Sequence, residues 1–417
     1  MLRSFLVGAA LSIAAPACFF ELSAVREGTG GAGAGGGGST GGDGGAGAMA
    51  GTGVVATSGT STGTAGGDGG TFEITVRYPS GVTSELVTGV PVPIVLTPGR
   101  IDYDVTAQDG ADLRAFDEEG TPLPLEIDVW RDEGTTVLWT RLPQLRPEGG
   151  RFSLRFGDTE ATPGPNAADV WQDYAAVYHL SDADQSTVKD SARAAMGTAS
   201  AISATSSPLG VGAAFDGQTS VINLGDVAAW SVPPGEARTI TAWFRRQVLP
   251  DEMPRRGMTI LSSEDPGPSC RGWSMRVLGD DFANTNGRFT VDGCTPTLFR
   301  TSSGGLGTYG DTDWHRFDLV VDRVAGELVL FTDGDRRGGD ENPTATTGAA
   351  VAASPRVGLG PPGATLRFEG VVDEIRVRTD RPSEPWLEAT FALEEDPQTP
   401  TELLVYEPAV PIADASR

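Results

Sequence analysis

Trp314-His315-Arg316-Phe317-Asp318-Leu319-Val320-Val321-Asp322 opens the stretch that decides the fold. Apolar and polar residues alternate along it, the mark of a strand with one face buried. After a short gap, Glu327-Leu328-Val329-Leu330-Phe331 is nearly continuous in apolar residues. It runs into Asp333-Gly334, a dipeptide suited to a two-residue hairpin turn because both positions tolerate positive φ. Phe368-Glu369-Gly370-Val371-Val372-Asp373-Glu374-Ile375-Arg376-Val377 then supplies a long strand. The whole stretch predicts antiparallel pairing.

The same grammar extends outward. Thr239-Ile240-Thr241-Ala242-Trp243-Phe244-Arg245 puts Ile240, Ala242 and Phe244 on one face and Thr241, Trp243 and Arg245 on the other. Gly272-Trp273-Ser274-Met275-Arg276-Val277 and Arg288-Phe289-Thr290-Val291 follow. Upstream, Phe72-Glu73-Ile74-Thr75-Val76 alternates, and Val90-Pro91-Val92-Pro93-Ile94-Val95-Leu96 carries two prolines that restrict it to a sheet edge. Leu125-Glu126-Ile127-Asp128-Val129-Trp130, Thr136-Val137-Leu138-Trp139-Thr140 and Phe152-Ser153-Leu154-Arg155-Phe156-Gly157 complete a first strand-rich region.

These residues resemble two bacterial families. The segment from Trp314 to Val377 is similar to the ending of a laminin-G-like (concanavalin A-like) jelly roll: a Trp-His strand, an apolar strand capped by Asp-Gly, and a closing Gly-Val-Asp-Glu-Ile-Arg-Val type of strand. Phe215-Asp216-Gly217 followed by Val221-Ile222-Asn223-Leu224 resembles its early strands. Gly110-Ala111-Asp112-Leu113-Arg114, Leu123-Pro124-Leu125-Glu126-Ile127, Val137-Leu138-Trp139 and Phe156-Gly157 resemble an uncharacterised domain that often precedes such jelly rolls in secreted proteins. The fold implied is all-β: two β-sandwich domains, the second a concanavalin A-like jelly roll, after a disordered Gly-rich linker. The expected organisation is an export signal over 1–17, a flexible tether over 18–70, a sandwich of unknown function over 71–170, a jelly roll over 171–395 and an acidic tail over 396–417. Leu403-Leu404-Val405-Tyr406 in that tail would add an edge strand to either sandwich or stay loose.

The N-terminus reads as an address. Arg3 precedes an apolar run from Phe5 to Ala15 that is too short to span a bilayer and is interrupted by Pro16. Ala15-Pro16-Ala17-Cys18 resembles a bacterial lipoprotein signal, which implies lipidation at Cys18; the alternative is ordinary cleavage after Ala17. Either reading places the chain outside the cytoplasm, lipid-anchored to the envelope or secreted. Residues 28–70 contain 21 glycines in 43 positions and almost no bulky apolar residue. Such a segment cannot offset its ordering entropy by burial. Its root-mean-square span is roughly 35–40 Å.

The net charge is −25 and Lys189 is the only lysine. That balance excludes nucleic acid as a partner and leaves a lipid anchor as the only membrane contact. Cys270 and Cys294 bracket two predicted strands, and a hairpin would bring them within disulfide reach; two free thiols is the alternative. The bridge would contribute about 3 kcal/mol.

Catalytic chemistry finds little support. His179 and His315 are the only histidines, each in a strand pattern with no nucleophile motif beside it, and are expected to be structural. Glu126-x-Asp128 resembles the start of a glucanase signature. The second catalytic carboxylate is missing, since Trp130 and Arg131 occupy its positions. Glu126 and Asp128 are therefore expected to face solvent. No enzyme is predicted. The jelly-roll resemblance implies a structural calcium, with Asp373 as candidate ligand: period two places it with Ile375 and Val377, pointing inward. Backbone hydrogen bonds in a tight corner are the alternative for Asp373, and Asp333 and Asp335 are explained by the turn. Candidates for holding a glycan are Trp243, Trp273 and Tyr309 with Asn284, Asn286 and Asp281; a place in the sandwich core is the alternative for the tryptophans, as is usual in a β-sandwich. The expected role is binding a glycan or an envelope protein; the alternatives are a glycoside-active enzyme and a ligand-free spacer.

Overall fold

The computed structural model describes residues 70–412, save for 133, 159–160, 226, 250–256, 265–271, 280–286, 296, 303–308, 310, 341–354, 361–365 and 396–402. The expected signal, the glycine-rich tether, Cys18, Cys270, Asn284, Asn286 and Asp281 lie outside the described residues, and so does the Cys294 side chain. The body is all-β, built of antiparallel sheets packed as β-sandwiches.

The first sandwich pairs a sheet centred on Phe72–Tyr78 and Gly150–Phe156 with a three-stranded sheet ordered Val87–Leu96, Thr136–Leu145, Leu125–Val129. The strand Val87–Leu96 is an edge, as Pro91 and Pro93 require. Ile74, Val76, Phe152 and Leu154 meet Val90, Val92, Ile94 and Leu138 between the sheets. The tail returns to this sandwich. Val405–Tyr406 and Val410–Pro411 both pair with Phe72–Tyr78, and Tyr406 accepts a hydrogen bond at its hydroxyl from Val95 N at 2.9 Å.

The second sandwich has two eight-stranded sheets. The inner one carries Tyr174–Tyr178, Ala237–Arg246, Trp314–Asp322, Glu327–Thr332 and Glu369–Arg378. The outer one carries Thr187–Lys189, Met196–Ser200, Val221–Asn223, Met258–Ser262, Trp273–Val277 and Phe289–Thr295, among others. Ile240, Ala242 and Phe244 point into the core between them, as alternation predicts, against Met258, Ile260, Met275 and Val291. Asp333 and Gly334 take φ of 52° and 78°, so the two-residue turn is the one the dipeptide announces.

The two sandwiches share one compact unit, Gly66–Arg417. The three-stranded sheet of the first lies against the inner sheet of the second, which makes four stacked layers. Trp139, from the first, clusters with Trp171, Tyr174, Val177 and Trp243. Burying each such aromatic fully contributes roughly 1.5–3 kcal/mol. A helix not anticipated in the sequence, Glu384–Glu394, wedges into this junction. Ser383 caps it by accepting from Trp386 N, and Pro385 sits in its first turn. Its Leu387 and Leu393 join the first sandwich's core together with Val320 and Phe331. No helix among the described residues is long and apolar enough to cross a membrane.

Candidate functional site

The register of the outer sheet produces a feature that single strands do not reveal. Thr187 pairs with Thr198, Thr198 with Asn223, Asn223 with Arg356, Arg356 with Ser262, Ser262 with Ser274 and Ser274 with Asp292. Directly paired residues share a face, so one polar row crosses seven strands. The neighbouring row on the opposite face, Val188, Ile222, Val357, Leu261, Met275 and Val291, is core. Every strand thus turns its hydrogen-bonding side chain away from the sandwich interior.

The centre of this polar face is buried. Ser262 and Ser274 are wholly buried, Glu264 and Asp292 nearly so. Ser262 Oγ and Ser274 Oγ are 2.9 Å apart, and Ser274 donates to Glu264 Oε2 at 2.6 Å. Arg276 reaches Glu264 and Asp292, each at 3.5 Å. Beside this network, on either side of Arg276, Thr259 Oγ1 and Thr290 Oγ1 are buried without a hydrogen-bond partner among the described residues. Unpartnered buried hydroxyls are costly.

The aromatic residues named from sequence do not line this face. Trp273 and Tyr309 belong to the sandwich core. Trp243 lies on the other face of its sheet, as predicted, but it is 1% exposed, stacked on Phe391 and donating to Glu394 Oε2 at 2.9 Å. Among the described residues no aromatic side chain is exposed. Alternation assigns a face; it does not say what covers that face.

A second concentration of polar groups lies at the junction of the sandwiches. Glu126 is buried rather than solvent-facing, because the second sandwich covers its sheet. It accepts from Trp171 Nε1 and lies 3.2 Å from His179 Nε2. His179 Nδ1 is 2.8 and 3.0 Å from the two oxygens of Glu374. Trp139 stacks on the imidazole. Asp128 is half-buried, its Oδ1 held by Ser181 Oγ at 2.7 Å. Burial opposes a charge on Glu126, but His179 and the surrounding hydrogen bonds outweigh it and hold the carboxyl at about 2. Burial, with the Glu374 and Glu126 charges, pushes Asp128 up to about 7 against the pull of His179. Burial also opposes a charge on His179; Glu374, Asp128 and Glu126 overcome it and raise its pKa well above the usual value.

Asp373 is buried, but not on the face alternation predicts. Glu374 takes φ of 50°, and the pairing shifts register there: Asp373 opposes Trp243 while Arg376 opposes Thr241. This bulge moves Asp373 to the junction side, away from Ile375 and Val377 in the core. Its Oδ1 accepts from Glu374 N at 2.9 Å. Burial and the Glu374 and Asp128 charges drive its carboxyl well above the carboxylate range. Next to it, Glu394 receives Arg376 at 2.8 and 2.7 Å, and Arg316 approaches at 3.5 Å. His315 bridges Asp311 at 2.8 Å and Asp333 at 2.9 Å. Both histidines are thus partnered on each ring nitrogen.

No protein-family model matches the chain, and no curated protein matches it. Among solved structures, domain 4 of AbnA, a GH43 extracellular arabinanase from Geobacillus stearothermophilus in complex with arabinotriose, is 16% identical with a TM-score of 0.39 over 52% of this chain and 97% of that one. The binding domain of Paraclostridial Mosquitocidal Protein 1 is 11% identical with a TM-score of 0.43, over 53% of this chain and 52% of that one. The botulinum neurotoxin serotype D binding domain is 10% identical with a TM-score of 0.39, over 52% of this chain and 50% of that one. The chain spans about half the length of the two toxin domains.

Proposed function

We propose that this chain is a non-enzymatic binding protein of the cell envelope, anchored through a lipid on Cys18, whose laminin-G-like second sandwich recognises a glycan. The observation that carries this reading is the polar row that crosses the outer sheet. A polyhydroxylated chain offers both donors and acceptors to the side chains of this row, and the part-exposed Arg276 lies in it to orient the ligand. Recognition would rest on hydrogen bonds, since the described residues offer no exposed ring for sugar stacking. The acids of this face, Glu264 and Asp292, are both engaged by Arg276. That arrangement favours holding a ligand over supplying a mobile acid and base.

A glycan array probed with the full chain, with and without calcium, tests the reading. Binding to a defined glycan class that Arg276→Ala abolishes, in a protein melting like the parent, is the expected result. Signal that stays flat across polysaccharides and peptidoglycan would move the assignment to an envelope-protein partner. Release of reducing sugar from any bound glycan would show the enzyme alternative to be correct.

A further inference from the structure

The junction between the sandwiches holds a group of side chains that the outer sheet does not use. Asp128 comes from the first sandwich, His179 follows the first strand of the second, and Glu374 sits on the bulge of Glu369–Arg378. One ligand-capable atom from each lies within 4.8 Å of the other two. The imidazole is oriented as metal-bound imidazoles are. Its Nδ1 faces the Glu374 oxygens, and its Nε2 faces a carboxylate, Glu126, that is fixed in turn by Trp171 Nε1. A carboxylate behind the far nitrogen sets the tautomer and strengthens the ligand.

A separate observation points to the same space. Asp373 is 1% exposed, and its Oδ2 accepts no hydrogen bond in good geometry, although the Ser207 hydroxyl is close enough to act on it. It precedes Glu374 in the chain and feels the Asp128 charge. Three carboxyl groups, Glu126, Asp128 and Glu374, therefore converge on one imidazole, with a fourth, Asp373, beside Glu374.

We propose that Asp128, His179 and Glu374 bind a first-row transition-metal dication, represented by zinc, that fastens the two sandwiches together. The imidazole nitrogen selects such an ion over calcium, which takes oxygen ligands. Tetrahedral donors about 2.1 Å from zinc stand about 3.4 Å apart. His179 Nδ1 and Glu374 need to separate only slightly from 2.8 Å to admit it. Asp128, the half-buried member, marks the side of entry. The site is structural, and no chemical step is assigned to it.

The test uses the full chain, stripped with chelator and titrated with zinc, read by metal content after dialysis and by melting temperature. One retained zinc per chain and a raised melting temperature, both reversed by chelator, are expected. Asp128→Ala should weaken zinc binding at least roughly tenfold while melting like the metal-free parent, because His179 keeps its bonds to Glu126 and Glu374. His315→Gln should leave zinc binding intact, separating this site from the Asp311–His315–Asp333 group. A parent chain that retains no zinc, or an Asp128→Ala chain that binds it as tightly as the parent, would overturn the proposal.

Discussion

Replacing Glu394 by glutamine should be among the most destabilising single changes in the body. Glu394 ends the helix that wedges between the sandwiches and is wholly buried. Its carboxylate receives two bonds from Arg376 and one from Trp243, and faces Arg316 at 3.5 Å. Glutamine keeps one acceptor, enough for Trp243 Nε1 or one Arg376 nitrogen. Its amide group then points donors at a guanidinium. The change removes at least one charge-assisted bond and leaves two buried arginines short of one counter-charge. The expected loss is about 3–5 kcal/mol. Burial alone would raise the Glu394 pKa, but Arg376 and Arg316 outweigh it and lower it. A lowered carboxyl stabilises above the unfolded-state pKa, and that contribution fades as pH falls through the folded value. Urea unfolding followed by tryptophan fluorescence, at neutral pH and in acid, measures both effects. The variant should lose its deficit relative to the parent in acid, where the parent carboxyl is also protonated. Arg376→Met combined with Glu394→Leu should recover most of the loss, since an apolar replacement removes both charges. A single-variant loss under about 1 kcal/mol would refute the reasoning, because Glu374 and Asp318 would then be neutralising the arginines unaided.

Two further outcomes follow from the same structure. Burial opposes the His315 charge, but hydrogen bonds to Asp333 and Asp311 prevail and raise its pKa; its stabilisation is complete below the ordinary histidine pKa and fades as pH rises through the folded value, so denaturation midpoints of His315→Gln should fall less steeply than the parent's above about pH 6.5. Gly257 has φ of 82°, and an added Cβ would lie 2.0 Å from Val277 O; Gly257→Ala should lower stability by at least about 1–3 kcal/mol in thermal melts, with an unchanged melt counting against that backbone path.

Much of the fold is legible in the sequence because strand period and turn chemistry are local. Asp333-Gly334 announces its hairpin, and Pro91 and Pro93 announce an edge. Three things escape that logic. The bulge at Glu374 inserts one residue into the period, so Asp373 changes face with no signature in composition. Glu126 is polar and on an outward face, yet a second sandwich covers that face, and periodicity carries no information on docking. The polar row on the outer sheet depends on the register of seven strands separated by long loops, so its members are not neighbours in sequence. The helix Glu384–Glu394 was readable: Ser383, Pro385 and apolar residues at Trp386, Leu387, Ala389 and Leu393 carry the start signal and the helical period. The strands around it draw attention away from that pattern.

The return of the tail to the first strand has a mechanical meaning. Phe72 pairs with Pro411 on one side and with Phe156 on the other, and Ile412 donates to Thr71 O at 2.8 Å. Both neighbours run antiparallel to the strand that the glycine-rich segment enters. Because Thr71 and Ile412 meet at one end of the sheet, tension applied between the glycine-rich segment and the end of the tail would open that pairing like a zipper, one backbone bond at a time, rather than sliding strands past one another. Resistance to denaturant and resistance to that pull are therefore separate properties of the body.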